Sequence, residues 1–360
     1  MNSIPTTHSE FHIPSSESRI RNIGIAFDLK PKAPLPAGAP DDLHEEFDSP
    51  ATIAHLRAAL ESLGHNVSEL GNGRQLLEKL LESPPDLVFN IAEGVGTSRN
   101  REARVPAVCE MLNIPCTGSD ALTLAVALEK DICRRLVSEA GIVIPQGLML
   151  PAVAEYEGDF AEFAAIVAES GLTLPLIAKP VCEGSSKGIR SKCLIERLED
   201  LGPVVVSLWN DYKQDVLLEE FIAGDEVTVG LVGNDPAGVL GMMRILPKQP
   251  TDRFVYSVEV KRDWENRVEY ECPPKLPAAT INAIEDAALH AYHVLGCRDI
   301  TRIDFRIRDG QPYFIEANPL PGLNAETGDI VLIAKYMGMP YEELIETVVN
   351  AAAARYILPA

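Results

Sequence analysis

The sequence is poor in aromatic residues and has no cluster of basic ones. Phe, Trp and Tyr make up 6% of its 360 residues, and 32 Lys and Arg stand against 53 Asp and Glu, which gives a formal net charge of −21. Binding to a nucleic-acid backbone depends on clustered cations that displace counterions, and no run of Lys or Arg occurs. The sequence therefore predicts no nucleic-acid partner.

Paired cysteines and long apolar stretches are also missing. The seven cysteines are scattered without a C-x-x-C motif, which argues against a disulfide framework and a zinc site, so we expect buried thiols. Residues 1–18 lack the basic and apolar regions of a signal peptide, and no later apolar stretch approaches the roughly 18 residues of a membrane span. These absences predict a cytoplasmic protein without a membrane partner.

The remaining composition indicates a folded α/β protein. Hydrophobic residues account for 46% of the chain, which excludes disorder, and 25 Gly with 27 Pro indicate many turns. At roughly 100–200 residues per domain, the length predicts two or three domains.

The first part of the chain alternates between strand and helix patterns. Residues 1–20 predict a flexible tail, and Ser49-Pro50 is typical of a helix start. A β-α-β-α-β order of this kind predicts a doubly wound parallel sheet, followed by one helix over residues 121–140. The predicted strands are 21–27, 67–70 and 87–91, and the predicted helices are 50–63, 75–81 and 104–112.

Beyond residue 140 the pattern changes to antiparallel sheets with helices. A helix is expected over 278–295 and a hairpin across Asp309-Gly310. The predicted strands are 175–181, 189–194, 216–220, 227–232 and 239–246.

A glycine- and serine-rich loop follows the strand that ends in Lys179. Small residues expose backbone N–H groups, and lysines supply positive charge, as a polyphosphate requires. The alternative interpretation of this loop is an ordinary hairpin turn with a solvated lysine. The spacing of Gly184, Ser186 and Gly188 also fits the nucleophile elbow of a serine hydrolase, although the segment after it alternates like a strand. The loop residues are Glu183, Gly184, Ser185, Ser186, Lys187 and Gly188.

Two later segments carry oxygen ligands with strand spacing. Arg302 and Asp304 share one face of a strand, as do Glu316 and Asn318, and such ligands suit magnesium that bridges phosphates. Asp304 faces Glu316 only if a three-residue bulged loop joins the strands; a two-residue turn pairs it with Ile315 instead. The alternative interpretation is a solvated hairpin face.

Residues 219–226 predict a strand that runs into a glycine turn. Its backbone groups could bind an adenine edge and Glu226 a ribose hydroxyl, whereas a plain edge strand with acidic ends is the alternative. Lys130 and Lys261 are single lysines that any surface could carry.

Taken in order, these segments resemble the ATP-grasp superfamily, and specifically the D-alanine–D-alanine ligase family. The similarity extends from about residue 87 to residue 348. The motifs that carry it are Thr117-Gly-Ser119 with Glu129-Lys130, Ala178-Lys179 with Glu183-Gly-Ser-Ser-Lys-Gly188, Leu218-Glu-Glu-Phe-Ile-Ala-Gly-Asp-Glu226, Arg302-Ile-Asp304, and Glu316-Ala-Asn318-Pro-Leu-Pro-Gly322.

The resemblance implies an ATP-grasp fold with a doubly wound parallel N-terminal domain and two α+β ATP-binding domains. The expected boundaries are 21–124, 125–215 and 216–360. Family members are often dimers, so a homodimer is expected. The implied reaction is phosphoryl transfer from ATP to a carboxylate, followed by amine attack on the acyl phosphate to form an amide.

The resemblance also implies roles for individual residues. Lys130 and Lys179 would bind the ATP phosphates, Ser185 and Ser186 would meet them at the end of the loop, and Glu219, Ile222 and Glu226 would bind the adenosine. The other residues expected in the ATP site are Glu183, Lys187 and Glu220. Two Mg²⁺ ions, or Mn²⁺ in their place, would be held by Asp304, Glu316 and Asn318. The catalytic group would comprise Arg302, Gly322, Lys261 and Ser186, with Arg302 and the Gly322 N–H stabilising the oxyanion.

The substrate half departs from the family pattern. The usual His-Gly pair is Glu93-Gly94, and Arg262 stands where a Tyr is usual beside the phosphate lysine. The leading hypothesis is therefore a carboxylate–amine ligase for small-molecule substrates such as amino acids. Alternatives are an authentic D-alanine–D-alanine ligase with a remodelled amine site, a non-catalytic ATP-binding regulatory protein, and the serine hydrolase.

Overall fold

The computed structural model describes residues 20–154 and 156–356. The predicted tail, residues 1–20, lies outside the described residues except for Ile20, which is buried in the same hydrophobic core as Ile23 and Ile25. The strands are β1 (Asn22–Ala26), β2 (Asn66–Gly71), β3 (Leu87–Asn90), β4 (Gly147–Leu150), β5 (Leu176–Pro180), β6 (Leu194–Ile195), β7 (Val216–Glu220), β8 (Asp225–Gly233), β9 (Ala237–Pro247), β10 (Val268–Glu271), β11 (Ile300–Arg308) and β12 (Gln311–Asn318). The helices are α1 (Pro50–Ser62), α2 (Gly73–Glu82), α3 (Arg104–Met111), α4 (Ala121–Leu128), α5 (Lys130–Glu139), α6 (Ala161–Ser170), α7 (Leu198–Tyr212), α8 (Val258–Arg262), α9 (Trp264–Arg267), α10 (Ala278–Leu295), α11 (Asp329–Tyr336) and α12 (Tyr341–Arg355).

The N-terminal sheet is parallel, in the order β2-β1-β3, which confirms the doubly wound prediction. Helix α1 begins where the sequence predicts: the Ser49 side chain accepts a hydrogen bond from the Thr52 N–H, and Pro50 occupies the first turn, where a missing N–H costs nothing. Because β1 is the central strand, loops at the carboxyl ends of β1 and β3 lie side by side, the usual place for a ligand in such sheets.

The central sheet is antiparallel, in the order β4-β7-β5-β6, and packs against α6 and α7. The predicted strand 189–194 is wrong: only Leu194–Ile195 pairs with β5, and Ser191–Cys193 forms a single 3₁₀ turn. Residues 189 and 190, which come directly before this turn, do not extend the strand because they form their hydrogen bonds and ion pairs outside the sheet. The Ile189 carbonyl accepts from the Val258 N–H, and the Arg190 guanidinium pairs with acidic groups of residues 41 and 42.

The single helix predicted over 121–140 is two helices, α4 and α5. Glu129 between them is extended, and its carboxylate caps the second helix by accepting from the Ile132 N–H. The Lys130 N–H bonds the carbonyl of Val181. This break sets the start of α5, and therefore Lys130, beside the start of the glycine- and serine-rich loop.

The C-terminal sheet has five antiparallel strands, in the order β10-β9-β8-β11-β12. Helix α10 covers one face, with Ile284, Ala288 and Tyr292 in the same core as Ile303 and Phe305. Helices α11 and α12 cover the other face and share a core with α1 and the N-terminal sheet. Burial of these apolar side chains, at roughly 25 cal/mol per Å², joins the first and last parts of the chain.

Six of the seven cysteines are buried free thiols, as predicted, and Cys272 is half-buried. Among residues 20–154 and 156–356, no helix has the length and apolar character needed to cross a membrane.

Candidate active site

The hairpin of β11 and β12 brings the predicted metal ligands together. Asp304 pairs with Glu316, and Arg302 with Asn318. The expectation that this register requires a three-residue loop is wrong, because Arg308 pairs with Gln311 across a two-residue turn. The two turn residues, Asp309 and Gly310, have φ of 53° and 80°. A β-bulge next to Asp304 supplies the missing residue on β12, as bulges do.

Asp304, Glu316 and Asn318 form one oxygen-rich cluster. The Asn318 amide donates to Asp304 Oδ2 at 3.1 Å, and Thr228 Oγ1 donates to Asp304 Oδ1 at 2.6 Å. The Arg302 guanidinium lies 2.9 Å from Asp304 Oδ2. Two carboxylates and an amide oxygen are ligands that Mg²⁺ takes together with substrate phosphates, so this donor set fits a divalent cation.

Lysines surround the carboxylate of Glu316. Lys130 Nζ lies 3.4 Å from Glu316 Oε2. Although burial opposes ionisation, the charges of Lys130, Arg302, Lys261 and Lys179 lower the pKa of Glu316 to about 2. Glu316 is therefore an anion at neutral pH, and the surrounding cations are placed to meet further negative charge.

A cleft lies between the central and C-terminal sheets. Its apolar part includes Ile177, Phe221, Ile222 and Ile245, and its polar part ends at Glu316. The predicted site residues that line it are Lys179, Ser186, Glu219, Glu220, Ile222, Glu226, Lys261, Arg302, Asp304 and Glu316.

Ion pairs hold the polar side chains of the cleft in place. Lys179 pairs with Glu219, which also lies 3.1 Å from Arg134 Nε. Glu226 lies 2.9 Å from Arg306 NH1, and the same guanidinium donates to the Ile222 carbonyl at 2.9 Å. The walls at the apolar end are therefore fixed before a ligand arrives.

A second cavity adjoins the cleft. Arg302 and Glu316 line both cavities. The other predicted site residues around the second cavity are Lys130, Glu183, Ser185, Asn318 and Gly322. A molecule in the second cavity would therefore meet the polar end of the cleft at Arg302 and Glu316.

Two glutamates make one wall of the second cavity acidic. Glu93 is half-buried and Glu102 is 7% exposed, and neither carboxylate has a hydrogen-bond or ion-pair partner within the described residues. Burial, opposed by Arg101 and reinforced by Glu46, raises the pKa of Glu102 to about 8. Burial and the charge of Glu102 also raise the pKa of Glu93. Both carboxyls therefore tend to be protonated in the empty cavity, and a cation bound against this wall would favour their ionised form.

The glycine- and serine-rich loop, residues 183–188, lies at the junction of the two cavities. Ser185 and Ser186 have φ of 49° and 58°, a left-handed conformation that turns the backbone sharply. Ser186 Oγ donates to the Tyr256 carbonyl at 3.0 Å. The elbow of a hydrolase needs a helix directly after its serine, whereas here Ser191–Cys193 forms only a 3₁₀ turn.

Lys187 lines neither cavity. Its ammonium is buried 2.5 Å from Glu183 and 3.3 Å from Glu46. Arg101, whose side chain is 1% exposed, joins the same cluster at 2.8 Å from Glu46 and 3.3 Å from Glu183. Two anions and two cations therefore neutralise one another behind the loop.

Sequence reasoning missed the residues that hold this loop from outside. Residues 41–46, which we call the acidic segment, bring four carboxylates against it and against α8. The only signal in the sequence is the run Asp-Asp-Leu-His-Glu-Glu, and the cationic partners lie 55 or more residues away.

Comparisons with known proteins give the family. A family model described as "D-ala D-ala ligase C-terminus" matches residues 136–350. A D-alanine–D-alanine ligase of Desulforudis audaxviator is 31% identical over 306 residues, covering 83% of this chain and 91% of that protein. The chain belongs to the D-alanine–D-alanine ligase family. As a member, it is an ATP-dependent, ADP-forming carbon–nitrogen ligase.

Other members and solved structures agree with this placement. A D-alanine–D-alanine ligase of Aquifex aeolicus is 32% identical, over 81% of this chain and 91% of its own. The ATP complex of the Bacillus anthracis ligase superposes with a TM-score of 0.68 at 19% identity, covering 94% of this chain and 98% of its own. The VanG D-Ala:D-Ser ligase of Enterococcus faecalis superposes with a TM-score of 0.66 at 21% identity, covering 93% of this chain and 100% of its own. The fold of this family member is therefore ATP-grasp, as expected.

Proposed function

We propose that this ligase activates a carboxylic acid in the second cavity with ATP bound in the cleft, and then joins it to an amine. The observation that supports this most directly is that Arg302 and Glu316 line both cavities. A carboxylate at this junction and a triphosphate in the cleft would be neighbours, which an in-line phosphoryl transfer requires.

Each part of the site has a defined task in this proposal. The apolar end near Ile222 takes the adenine and Glu226 the ribose. Lys130, Lys179 and Lys261 hold the phosphates, and the carboxylate oxygen of the acid attacks the γ-phosphorus as ADP leaves. When bound at Asp304, Glu316 and Asn318, Mg²⁺ supplies charge neutralisation between the two anions.

The second step forms the amide. The amine attacks the carbonyl carbon of the acyl phosphate, phosphate leaves, and the amine loses a proton. Arg302 and the Gly322 N–H would stabilise the oxyanion, and a donor of this kind is typically worth about 3 kcal/mol. Pairing of Arg302 with Asp304 and Asp329, each at 2.8–2.9 Å, fixes the guanidinium in advance.

The acidic wall of the second cavity narrows the substrate class. Glu93 and Glu102 lie in the same cavity as Arg302 and Gly322, so the acid to be activated would place a cationic group at the two glutamates and its carboxylate at the other end. An amino acid has this charge arrangement. D-Alanine, the substrate in the relatives' names, is one candidate, and a larger diamino acid is another.

Phosphate release with MgATP tests the proposal across D- and L-amino acids, singly and in pairs, with mass spectrometry of products. We expect one amide per phosphate for a pair whose donor is cationic, and weak activity with acids that lack a cation. A Glu102→Gln variant should raise the KM of the donor more than tenfold and leave the KM of ATP unchanged. The exposed Glu110 of α3 provides the control variant Glu110→Gln. Hydrolysis of ATP without any amide would overturn the proposal.

A further inference from the structure

A third cavity lies at the carboxyl ends of the three parallel strands. Asp28, Asn72 and Ala92 line it, and each comes within two residues of the end of β1, β2 or β3. None of the described residues around the third cavity lines the cleft or the second cavity. The carboxyl ends of the strands are where open parallel sheets bind ligands, so this cavity has the position of a binding site that the ligase reaction does not use.

The wall of the third cavity is largely apolar. Helix α2 contributes Leu76 and Leu77, and helix α3 contributes Val105 and Val108. Val95, in the loop after β3, also lines the cavity and is 57% exposed, while Leu77 is 41% exposed. Large apolar side chains that stay exposed around a concave site form a surface that an apolar ligand can cover. The cavity therefore suits a ligand with an apolar body.

Two arginines supply the third cavity with hydrogen-bond donors. Arg104 donates to the Val95 carbonyl at 2.7 Å, and no carboxylate of the described residues lies within ion-pair distance of its guanidinium. Arg101 is 1% exposed. Two nitrogens of its guanidinium bond the Cys182 carbonyl and Glu46, whereas its Nε–H has no partner within the described residues. An unbonded buried N–H is costly, and an oxygen atom of a ligand would supply the missing acceptor.

The carboxylate of Asp28 lines the same cavity but is already bonded. Asp28 is 1% exposed; its Oδ2 accepts from the Gly94 N–H at 2.8 Å, and its Oδ1 accepts from the Asn72 amide. Helix α2 begins beside it at Gly73 without a side-chain cap, so the partial positive charge of the helix start also faces this region. The charged groups left to meet a ligand are therefore the two guanidinium groups, which favour an anion.

One segment of chain separates the third cavity from the second. Ala92, Gly94 and Arg101 line the third cavity, whereas Glu93 and Glu102 line the second. Gly94 has φ of 84°, and a Cβ at this position would lie 2.5 Å from the Arg101 carbonyl oxygen. The two stretches of the segment thus pack directly against each other. A ligand in the third cavity would lie behind the acidic wall and not in the substrate cavity.

We propose that the third cavity is a binding site for a small carboxylate with an apolar body. Arg104 and the Nε–H of Arg101 hold the carboxylate group, and the apolar side chains of α2 and α3 cover the body. A free amino acid fits less well, because its ammonium group would meet only Asp28, both of whose oxygens are bonded. This inference goes beyond the proposed function and does not depend on it, because it concerns a ligand that takes no part in the reaction.

The first test separates the charge of the ligand from its body. Isothermal titration calorimetry of the full chain uses 4-methylpentanoate and 3-phenylpropanoate, with 4-methylpentanamide, acetate and leucine for comparison. We expect one of the two acids to bind at least tenfold more tightly than the amide, which lacks the charge, and than acetate, which lacks the body. Leucine should also bind more weakly. Equal binding of 4-methylpentanoate and its amide, or no binding of either acid, overturns the proposal.

The second test uses two arginine variants with the same change in net charge. Arg104→Gln should weaken binding of the acid at least tenfold. Arg74→Gln, which removes a 90% exposed arginine from the first turn of α2, should leave binding unchanged. Because Arg104 is exposed, the melting temperature of Arg104→Gln should match that of wild type. Binding that is equally tight in Arg104→Gln and wild type overturns the proposed site.

The third test locates the acid without any variant. Hydrogen–deuterium exchange of wild type is compared with and without a saturating concentration of the acid that binds. We expect at least threefold slower exchange in residues 72–77 and 92–108, and no change at 183–188 or 316–322. Slower exchange confined to 183–188 and 316–322 would place the acid in the substrate cavity and overturn the proposal.

Discussion

Asp304 lies directly opposite Glu316 although a two-residue turn joins their strands, because β12 carries one extra residue at the bulge beside Asp304. Without that bulge the two-residue turn would pair Asp304 with Ile315, and Glu316 and Asn318 would both lie on the opposite face of the sheet from Asp304. The candidate metal site thus depends on one irregularity of backbone pairing.

Replacement of Glu316 by alanine should abolish turnover. The variant removes one of two carboxylates from the cluster and leaves Lys130, at 3.4 Å in the wild type, without its anion. We expect a loss of at least about 10³-fold in kcat and a much weaker response of the rate to Mg²⁺, measured by phosphate release. Glu269→Ala, at an exposed position of β10, is the control. Full activity of Glu316→Ala would rule out the metal assignment.

The sequence predicted the strands of this hairpin but not how they pair. Alternation of Ile303 and Phe305 with Arg302 and Asp304 defines a buried and a polar face, so the residues on the polar face could be named. A bulge leaves no mark in such a pattern, because it adds one residue of ordinary type. The pairing of Asp304 with Glu316 was therefore only one of two possible outcomes.

Glu46 should be essential for stability, whereas its neighbour Glu45 should not. Glu46 is the carboxylate that Arg101 and Lys187 share with Glu183. Its removal by Glu46→Ala leaves two buried cations with one anion, for which we expect a loss of about 3–5 kcal/mol in the free energy of unfolding. Glu45→Ala, which breaks a partly exposed pair with Arg262, should lose less than about 1 kcal/mol. Urea unfolding of both variants measures the difference, and equal losses would contradict the prediction.

The same carboxylate should contribute to acid sensitivity. Burial opposes its ionisation, but Arg101 and Lys187 hold the pKa of Glu46 below 4.5 in the folded protein. Its stabilisation is therefore complete above the unfolded pKa of about 4.5 and is lost as pH falls through the lower folded value. Glu46→Gln should show a shallower decline of stability below pH 4.5 than wild type, as followed by urea unfolding from pH 3 to pH 6.

Asp48 should destabilise the folded protein as pH rises, whereas ionised Glu46 stabilises it. Burial, reinforced by the charge of Asp28, raises its pKa to about 7. The folded state holds a proton that the unfolded state releases near pH 4, so this group costs stability as pH rises from about 4 to about 7. Asp48→Asn should be more stable than wild type at pH 8, by on the order of 1–2 kcal/mol, and nearly equal at pH 4. The exposed Asp252→Asn should show no such pH dependence, and an Asp48→Asn variant no more stable at pH 8 would contradict the shift.

The acidic segment shows the limit of sequence reasoning at this site. Six residues with four carboxylates normally indicate a solvated surface, since charged side chains are seldom buried without partners. Whether Asp42 and Glu46 are buried is decided by Arg101, Lys187 and Arg190, which are distant in sequence. The local pattern also could not show that helix 121–140 breaks at Glu129, where capping of Ile132 and a bond from Lys130 to Val181 outweigh helix propensity.

Replacement of Ser186 by alanine separates the ligase from the hydrolase interpretation. In a serine hydrolase this residue would be the nucleophile, and its loss would cost about 10⁶-fold in kcat. Here Ser186 Oγ donates to the Tyr256 carbonyl at 3.0 Å and lines the cleft, so its removal loosens one contact between the loop and the segment that leads into α8. We expect a decrease of no more than about tenfold in ATP-dependent amide formation, measured beside Ser191→Ala, an exposed serine of the 3₁₀ turn. Esterase activity that disappears in Ser186→Ala and persists in Ser191→Ala would instead establish the hydrolase.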